Sequence, residues 1–455
     1  MWSFQVAGMD DDDEYAKLIR KMNPPSVIID NDACDDATVI QVNSVNANCI
    51  LLEVIQVLID LNLVITKAYI SSDGKWFMDV FNVTDHNGNK LRDEKMISDI
   101  QTVKHIHGFE AFSSFVFVSL ESDACLSSLR KCSVGVRPSN GYTSIELMGT
   151  DRPGLLSEIC TMLIDFKCNV VKAELWTHNT RLASVVHVTD ESTRSAIEDP
   201  ERLSTMKELL HDVLKGHDDS RRAKMMVSMG GTHPERRLHQ MMYDDRDYER
   251  VGLVEKGDKK SRPQVAVMDC KEKNYTIIVL RSKDRPKLLF DTICTLTDMQ
   301  YVVYHGTVDT GNGEAYHEYY IRHIDGQRVN TNAEQDRLVQ CLEAAIQRRD
   351  SEGLALELRT GDRFGLLSDI TRIFRENGLC ITRAEISTQG SKAVDTFYVS
   401  EMSGSPVDAN TIDSIRRQIG QMVLRVKQEP FPSKPSKATS SIGFLPRNFL
   451  KGHRW

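Results

Sequence analysis

The sequence predicts an α+β protein of four tandem ferredoxin-like βαββαβ modules with antiparallel sheets. One short motif occurs three times, each time between a strand-like stretch and a helix-like stretch. A second string follows each helix and leads into a hairpin. The order strand, helix, strand, strand, helix, strand that results is the split βαβ arrangement.

The first motif carries Asp-Arg before two leucines and lies at 150–156, 283–289 and 361–367. Strand-like runs precede the three copies, at 144–148, 276–280 and 354–358. After the first copy, apolar residues recur at spacings of three and four, which predicts one buried helical face. These residues are Leu155, Leu156, Ile159, Cys160 and Leu163.

The second string reads Lys-Ala-Glu at 172–174 and Arg-Ala-Glu at 383–385, with related stretches at 66–70 and 304–308. Its small central residue is typical of places where backbone elements approach closely. Turn residues and another strand follow, as in a hairpin. An amphipathic helix then closes each unit.

The spacing of these signals predicts modules at 37–137, 142–229, 275–350 and 353–428, with an atypical insertion at about 103–120. The polar stretch 230–274 is predicted as a linker that contains a short helix near 238–243. The segment 429–455 is predicted as a mobile tail. The third module looks least complete, since few residues separate its last helix from the next strand.

Composition argues against several classes of protein. The net charge of −8 gives no general attraction to nucleic acid or an anionic membrane. No stretch approaches 18 consecutive apolar residues, so no membrane span is expected. The ten cysteines form no CxxC pair, and the acidic start is not a secretion signal. A reduced compartment is expected, the cytoplasm first and the nucleus as the alternative.

Enzyme motifs are absent from the sequence. No P-loop, GxGxxG or GxSxG string occurs. Two His-Asp dipeptides, at 211–212 and 217–218, stand at a helix end, where histidine suits the helix dipole. The prediction is therefore a protein without catalytic residues, cofactor or metal.

The repeated motif has a structural and a functional interpretation. Asp151, Asp284 and Asp362 are each predicted to cap the helix that follows, and Pro153 suits its first turn. The same helix start offers free amides and a partial positive charge, which suit a carboxylate. Arg152 and its equivalents could add a charge-assisted bond, so that a free amino acid would fit.

These strings resemble the ACT domain family, and the chain as a whole resembles the plant ACT-domain-repeat (ACR) proteins with four ACT copies. The resemblance covers nearly all of 10–428 and includes the linker string 238–242 as well as module strings such as 372–377. It implies modules that bind small regulatory ligands, usually amino acids, where two modules pair. It also implies a role in sensing amino acid or nitrogen status, with glutamine named only by analogy.

The resemblance places the ligand between the first loop of one module and the second strand of its neighbour. Carried over to modules two and four, the predicted ligand-binding residues are Asp151, Arg152, Pro153, Gly154, Leu155, Asn169, Val170, Asp362, Arg363, Gly365, Leu366, Cys380 and Ile381. The first module lacks the motif at 46–51, and Lys287 replaces the glycine in the third, where it could fill the pocket. Phe364 replaces the proline in the fourth.

A scaffold without any ligand is the alternative. ACT modules pair through sheet edges and helices, either within the chain or as a homodimer. Four copies could therefore grip and regulate a metabolic enzyme by contact alone. Stabilisation by an amino acid would favour the sensor, whereas a stable protein partner without ligand binding would favour the scaffold.

Overall fold

The structure is a computed structural model, and it describes ten stretches of the chain. They are residues 26–45, 49–72, 76–102, 141–215, 224–228, 233–249, 263–349, 353–403, 407–420 and 423–427. The predicted insertion at 103–120 and the predicted tail at 429–455 lie outside these residues.

The described strands are short and alternate between helix-facing and outward-facing side chains. They are β1 Ser26–Asp30, β2 Thr38–Val45, β3 Val64–Ser71, β4 Trp76–Thr84, β5 Thr143–Thr150, β6 Cys168–His178, β7 Arg181–Asp190, β8 Lys224–Ser228, β9 Gln264–Cys270, β10 Tyr275–Lys283, β11 Tyr301–Gly311, β12 Glu314–His323, β13 Leu354–Gly361, β14 Leu379–Gln389, β15 Lys392–Glu401 and β16 Val423–Val426.

The described helices connect these strands. They are α1 Ile50–Asp60, α2 Glu94–Thr102, α3 Leu155–Asp165, α4 Pro200–Lys215, α5 Pro234–Asp244, α6 Leu288–Asp298, α7 Asn332–Gln347, α8 Leu366–Glu376 and α9 Ala409–Ile419. A 3-10 turn, Lys271–Lys273, separates β9 from β10. We assign β1–β4 to module 1, β5–β8 to module 2, β9–β12 to module 3 and β13–β16 to module 4.

The strands form two eight-stranded antiparallel sheets, and each sheet joins two modules. Modules 1 and 3 share the order β1-β2-β4-β3-β11-β12-β10-β9, and modules 2 and 4 share β16-β13-β15-β14-β6-β7-β5-β8. The strands that join the modules are β3 with β11 and β6 with β14. The predicted α+β class with antiparallel sheets is confirmed, and the modules pair within the chain, first with third and second with fourth.

Modules 1 and 3 differ from the predicted element order at one edge. In modules 2 and 4 the strand beside the first strand comes from the end of the module, β8 and β16. In modules 1 and 3 it comes from before the module, as β1 and β9. Only six residues lie between α7 and β13, which leaves too little chain for an edge strand at the end of module 3. Strand β9 takes that edge position instead and forms a hairpin with β10. These strands precede the predicted starts at 37 and 275, and the predicted linker 230–274 contributes both α5 and β9.

Each pair of modules shares one hydrophobic core between its sheet and its helices. The predicted face of α3 lies in the core of modules 2 and 4, with Leu155, Ile159 and Leu163 almost fully buried. That core continues without a break into α8 through Ile370 and Phe374 of module 4. The paired modules therefore bury their apolar surface against each other, as antiparallel sheets covered on one face require.

Helix α5 lies between the two pairs of modules and contacts both. Its Leu238, Met241 and Met242 pack on Trp176 and Val185, on the face of the 2–4 sheet that α3 and α8 leave uncovered. Its other side contacts α6 of module 3, where Arg236 pairs with Asp298. The segment predicted as a polar linker is thus part of the folded core.

Candidate ligand site between modules 2 and 4

The pairing of modules 2 and 4 brings the repeated motif of one to the second strand of the other. Strands β6 and β14 run antiparallel with Glu174 opposite Glu385. The Lys-Ala-Glu and Arg-Ala-Glu strings therefore form the junction between the modules. Because the junction is locally two-fold, it creates two equivalent faces, one at each motif.

The first face contains a cavity. It is lined by the four motif residues predicted in module 4 and by the two second-strand residues predicted in module 2: Asp362, Arg363, Gly365, Leu366, Asn169 and Val170. Side chains that the sequence did not single out complete the lining, among them Ile164, Thr388 and Asp395. The structure thus brings these six predicted residues together.

The motif aspartates do not cap the helices, contrary to prediction. Helix α3 begins after Gly154 and α8 after Gly365, and neither start has a side-chain cap hydrogen bond. Both glycines are left-handed, with φ of 82° and 78°. This turn places Asp151 and Asp362 three residues before the cap, and it leaves the first helix amides free of side-chain partners.

The uncapped start of α8 borders the cavity. Leu367 and Ser368, the second and third residues of the helix, both line it. Amides in the first turn have no partner within the helix, and they carry the positive end of its dipole. An anionic group is therefore favoured at this end of the cavity.

The motif arginines bind the helices that follow them. Arg363 donates to Asp369 Oδ2 at 2.5 Å, and Arg152 donates to both carboxylate oxygens of Glu158, at 2.8 and 2.5 Å. In module 3, Arg285 lies 2.7 Å from Asp291. Each arginine thus bonds an acid six residues later, so a ligand would share the guanidinium with that acid.

Asp395 adds a buried acid to the lining of the cavity. It is 2% exposed, and its Oδ1 accepts a long hydrogen bond, 3.4 Å, from the backbone N–H of Ser387. Burial, together with the charge of nearby Asp362, raises its pKa to about 7. Such a carboxylate gains from a cationic partner, since a paired charge is less costly to bury.

The cavity is narrow in this structure. The space open to the centre of a water molecule is about 30 Å³, which is room for one or two waters. A free amino acid would have to widen the cleft, and Arg363, which lines it, is half exposed and pairs with Asp369.

The second face carries the other seven predicted residues but is filled differently. Arg375 of α8 packs against Gly154, so that a Cβ added to this glycine would lie 2.8 Å from Arg375 Cδ. On the first face the equivalent neighbour of Gly365 is Ile164, at an ordinary contact distance of 3.4 Å. Burial raises the pKa of Asp151 to about 6, and the charge of Asp151 contributes to a raised pKa of Cys380.

The motif of module 3 is built into the interior. Lys287 takes the left-handed cap position at φ 66° and pairs with Glu235 of α5. Asp291 is fully buried and contacts Arg285, Arg349 and His239. Burial opposes the charge of Asp291, but Arg349 and Arg285 outweigh it and hold its pKa below the usual range.

Module 1 retains one feature of the site although it lacks the motif. Asp79 of β4 holds the place of Asp395 and accepts from the backbone N–H of Ser71 as Asp395 does from Ser387. Burial raises its pKa to about 7. The corresponding positions in modules 2 and 3 are Ser184 and His317, so each pair has one module with the buried acid.

The sequence analysis did not identify Asp395 as a residue of the site. It also did not predict that Ile164 contacts one motif glycine and Arg375 the other. Asp395 stands on the core-facing side of β15 with Ala393 and Phe397, so an acid in an otherwise apolar alternation was the available signal. Ile164 and Arg375 are the tenth residues of α3 and α8. Alignment of the two helices would have shown that one face receives an apolar side chain and the other a cation.

Comparison with known proteins identifies the modules. The model of the ACR family N-terminal ACT domain matches residues 33–108, and that of the ACT domain matches residues 143–213. The chain is 58% identical to the ACT domain-containing protein ACR6 of Arabidopsis thaliana, over 97% of this chain and 99% of the relative. It is also 58% identical to ACR4 of the same plant, over 97% of this chain and 95% of the relative. This chain belongs to the ACR family of ACT domain proteins.

The resemblance to the ACR family that the motifs indicated is therefore confirmed. A more distant similarity, 23% identity, links 46% of the chain to 20% of a bifunctional uridylyltransferase/uridylyl-removing enzyme of Rhodospirillum rubrum. Among the described residues, no group of three or more His, Cys, Asp and Glu side chains could hold a metal ion. Every helix in the described part of the chain is too short or too polar to cross a lipid bilayer.

Proposed function

We propose that this ACR protein is a non-enzymatic regulator that binds a free amino acid between modules 2 and 4. The observation that carries the proposal is a cavity in which predicted residues of both modules meet. Its lining is complementary to a zwitterion, because the helix start at Leu367 and Ser368 suits a carboxylate and Asp395 suits an ammonium group. We propose further that the protein senses amino acid status in the cell by binding this ligand.

The first face is the primary site of the proposal. It has open space, an apolar neighbour in Ile164 and the buried acid. The second face, around Asp151, Arg152, Pro153, Gly154 and Leu155 with Cys380 and Ile381, is proposed as a weaker site. Arg375 would have to leave Gly154 before a ligand could reach the amides there.

Thermal unfolding of the full chain against each of the twenty amino acids at millimolar concentration tests this proposal. A ligand at about 100 times its dissociation constant adds roughly 2.7 kcal/mol to the native state. We expect the melting temperature to rise by several degrees with one or a few amino acids. No rise with any of them, in protein shown to be folded, would reject the proposal.

A matched pair of variants then locates the site. We expect Asp395→Asn to abolish the response to the active amino acid, because it removes the partner of the ammonium group. Asp79→Asn makes the same change at the equivalent buried position of module 1 and should leave the response intact. Equal loss in both variants would contradict the assignment to modules 2 and 4.

The scaffold remains the second candidate, and two observations favour it. The cavity holds no more than one or two waters, and the motif arginines are already paired with Glu158 and Asp369. If no amino acid stabilises the protein, the paired modules would act by contact with a partner enzyme. Affinity capture with the full chain as bait would then recover one stable partner.

A further inference from the structure

A second cleft lies beyond the N-terminus of α5, where the two module pairs meet. Gln56 and Asp60 of α1 form one wall, His233 stands at the start of α5, and Tyr142, Lys172 and His187 of module 2 form the floor. The space open to the centre of a water molecule is about 400 Å³. This cleft shares no lining residue with the cavity between modules 2 and 4.

His187 gives the cleft an unsatisfied polar group. It is 5% exposed, and its Nε2 has no hydrogen-bond partner among the residues that the structure describes. Its ring stacks on Tyr142 with 4.3 Å between the centroids. Burial lowers its pKa to about 4, helped by the charge of Lys172, so the ring is neutral near pH 7. A buried nitrogen without a partner is costly, and a ligand atom would remove that cost.

The charges around His187 favour an anion. Lys172 lies directly opposite His187 in the pairing of β6 with β7, and it is exposed. The acid of the cleft, Asp60, is already bound at 3.0 Å by His233 Nε2. His233 Nδ1 accepts the backbone N–H of Arg236 at 3.3 Å, which places the ring proton on Nε2. The start of α5 adds the positive end of its dipole.

We propose that this cleft binds a small oxyanion, the phosphate or carboxylate group of a metabolite. Lys172 supplies the charge, and His187 supplies a neutral N–H from Nε2. Because α1 belongs to module 1 while Lys172 and His187 belong to module 2, the bound anion would contact both pairs and hold them together. This site is independent of the amino acid site proposed above.

Histidine-selective NMR of the full chain tests the proposal. The His187 signal is assigned as the one absent from a His187→Gln variant. Inorganic phosphate and citrate are titrated separately, with sodium chloride at equal ionic strength as the control. We expect a saturable shift of the His187 Nε2 resonance with phosphate, citrate or both. A response to only one of them supports the site and identifies the group.

A lysine pair provides the matched control. Lys172→Gln changes an exposed side chain and should weaken anion binding about tenfold, since a charge-assisted bond is lost. Lys207→Gln alters an exposed lysine of α4 and should leave binding unchanged. No saturable shift with either anion, or the same affinity in Lys172→Gln as in Lys207→Gln, would overturn the proposal. Asp395→Asn should not affect it, which separates its failure from that of the amino acid site.

Discussion

The 2–4 pair and the 1–3 pair have the same order of the six inner strands, and in both pairs a residue with a left-handed backbone conformation precedes the first helix of each module. The two pairs nevertheless use the motif differently. In modules 2 and 4 the cap positions are Gly154 and Gly365, and the arginine–acid pairs lie partly exposed at the rim of the two faces. In module 3 the cap is Lys287, and Asp291 is fully buried against α5 and α7.

This difference shows that one local geometry can serve two purposes. An exposed arginine–acid pair contributes little to stability and can rearrange around a ligand. A buried network contributes through the high cost of breaking it. Under the proposed function, the motif of modules 2 and 4 serves binding, whereas the motif of module 3 contacts Glu235 and His239 of α5 at the junction between the pairs.

The largest effect is expected from the acid that follows the motif. Asp291→Asn should lower the free energy of unfolding by about 3–5 kcal/mol, because it leaves Arg285 and Arg349 buried without a full counter-charge. Asp369→Asn, the equivalent change in module 4, should cost no more than about 1 kcal/mol, because its pair with Arg363 is exposed. Urea unfolding measures both. Similar losses would show that the two motifs do not differ as described.

A smaller effect is expected in the pH dependence of stability. The pKa of Asp395 is about 7 in the folded protein and near the ordinary 3.8 when unfolded. The folded state therefore holds the extra proton between about pH 4 and pH 7, so stability should fall as the pH rises through this window and level off above it. At about 1.4 kcal/mol per pKa unit, the shift corresponds to at most about 4 kcal/mol.

Comparison with Asp395→Asn isolates this contribution, because the other carboxyl groups with a raised pKa, such as Asp79, titrate in both proteins. We expect the stability of the natural chain relative to the variant to decline from pH 4 to pH 7. Thermal unfolding at closely spaced pH values measures the difference. A flat difference curve would mean that Asp395 does not titrate in this range.

The smallest effect distinguishes the two faces of the 2–4 pair. Gly154→Ala and Gly365→Ala should each cost about 1–2 kcal/mol, because both glycines are left-handed. Gly154→Ala should cost more, since its new methyl group would press on Arg375. In an Arg375→Ala background the two losses, measured by urea unfolding, should become equal. A difference that persists there would show that Arg375 is not its cause.

The fold could be predicted from the sequence wherever periodicity and turn residues act locally. Leu155, Ile159 and Leu163 recur at helical spacing and are buried as expected. The edge strands of modules 1 and 3 could not be predicted this way. Strand β9 stands in a polar stretch, and only its pairing with β10 shows that it belongs to the sheet.

The candidate site was predicted in part. The motif and the second strand indicated Asp362, Arg363, Gly365, Leu366, Asn169 and Val170, which meet at one cavity. The prediction that the aspartates cap the helices was wrong. The turn that begins at Asp362 continues for three residues to the left-handed Gly365, and the helix begins only after it. Whether the motif arginine is exposed or buried depends on its neighbours in space, and no local pattern contains that information.

The sequence by itself determined the module type, the repeat and the residues at each helix start, because these follow from side-chain periodicity and backbone preferences over a few residues. Only the tertiary structure decided that module 1 pairs with module 3 and module 2 with module 4. Only the tertiary structure likewise placed α5 between the pairs, filled one face with Arg375 and left a cleft beside His187. These features depend on long-range burial and on charges brought together from distant parts of the chain, such as Glu235 with Arg349.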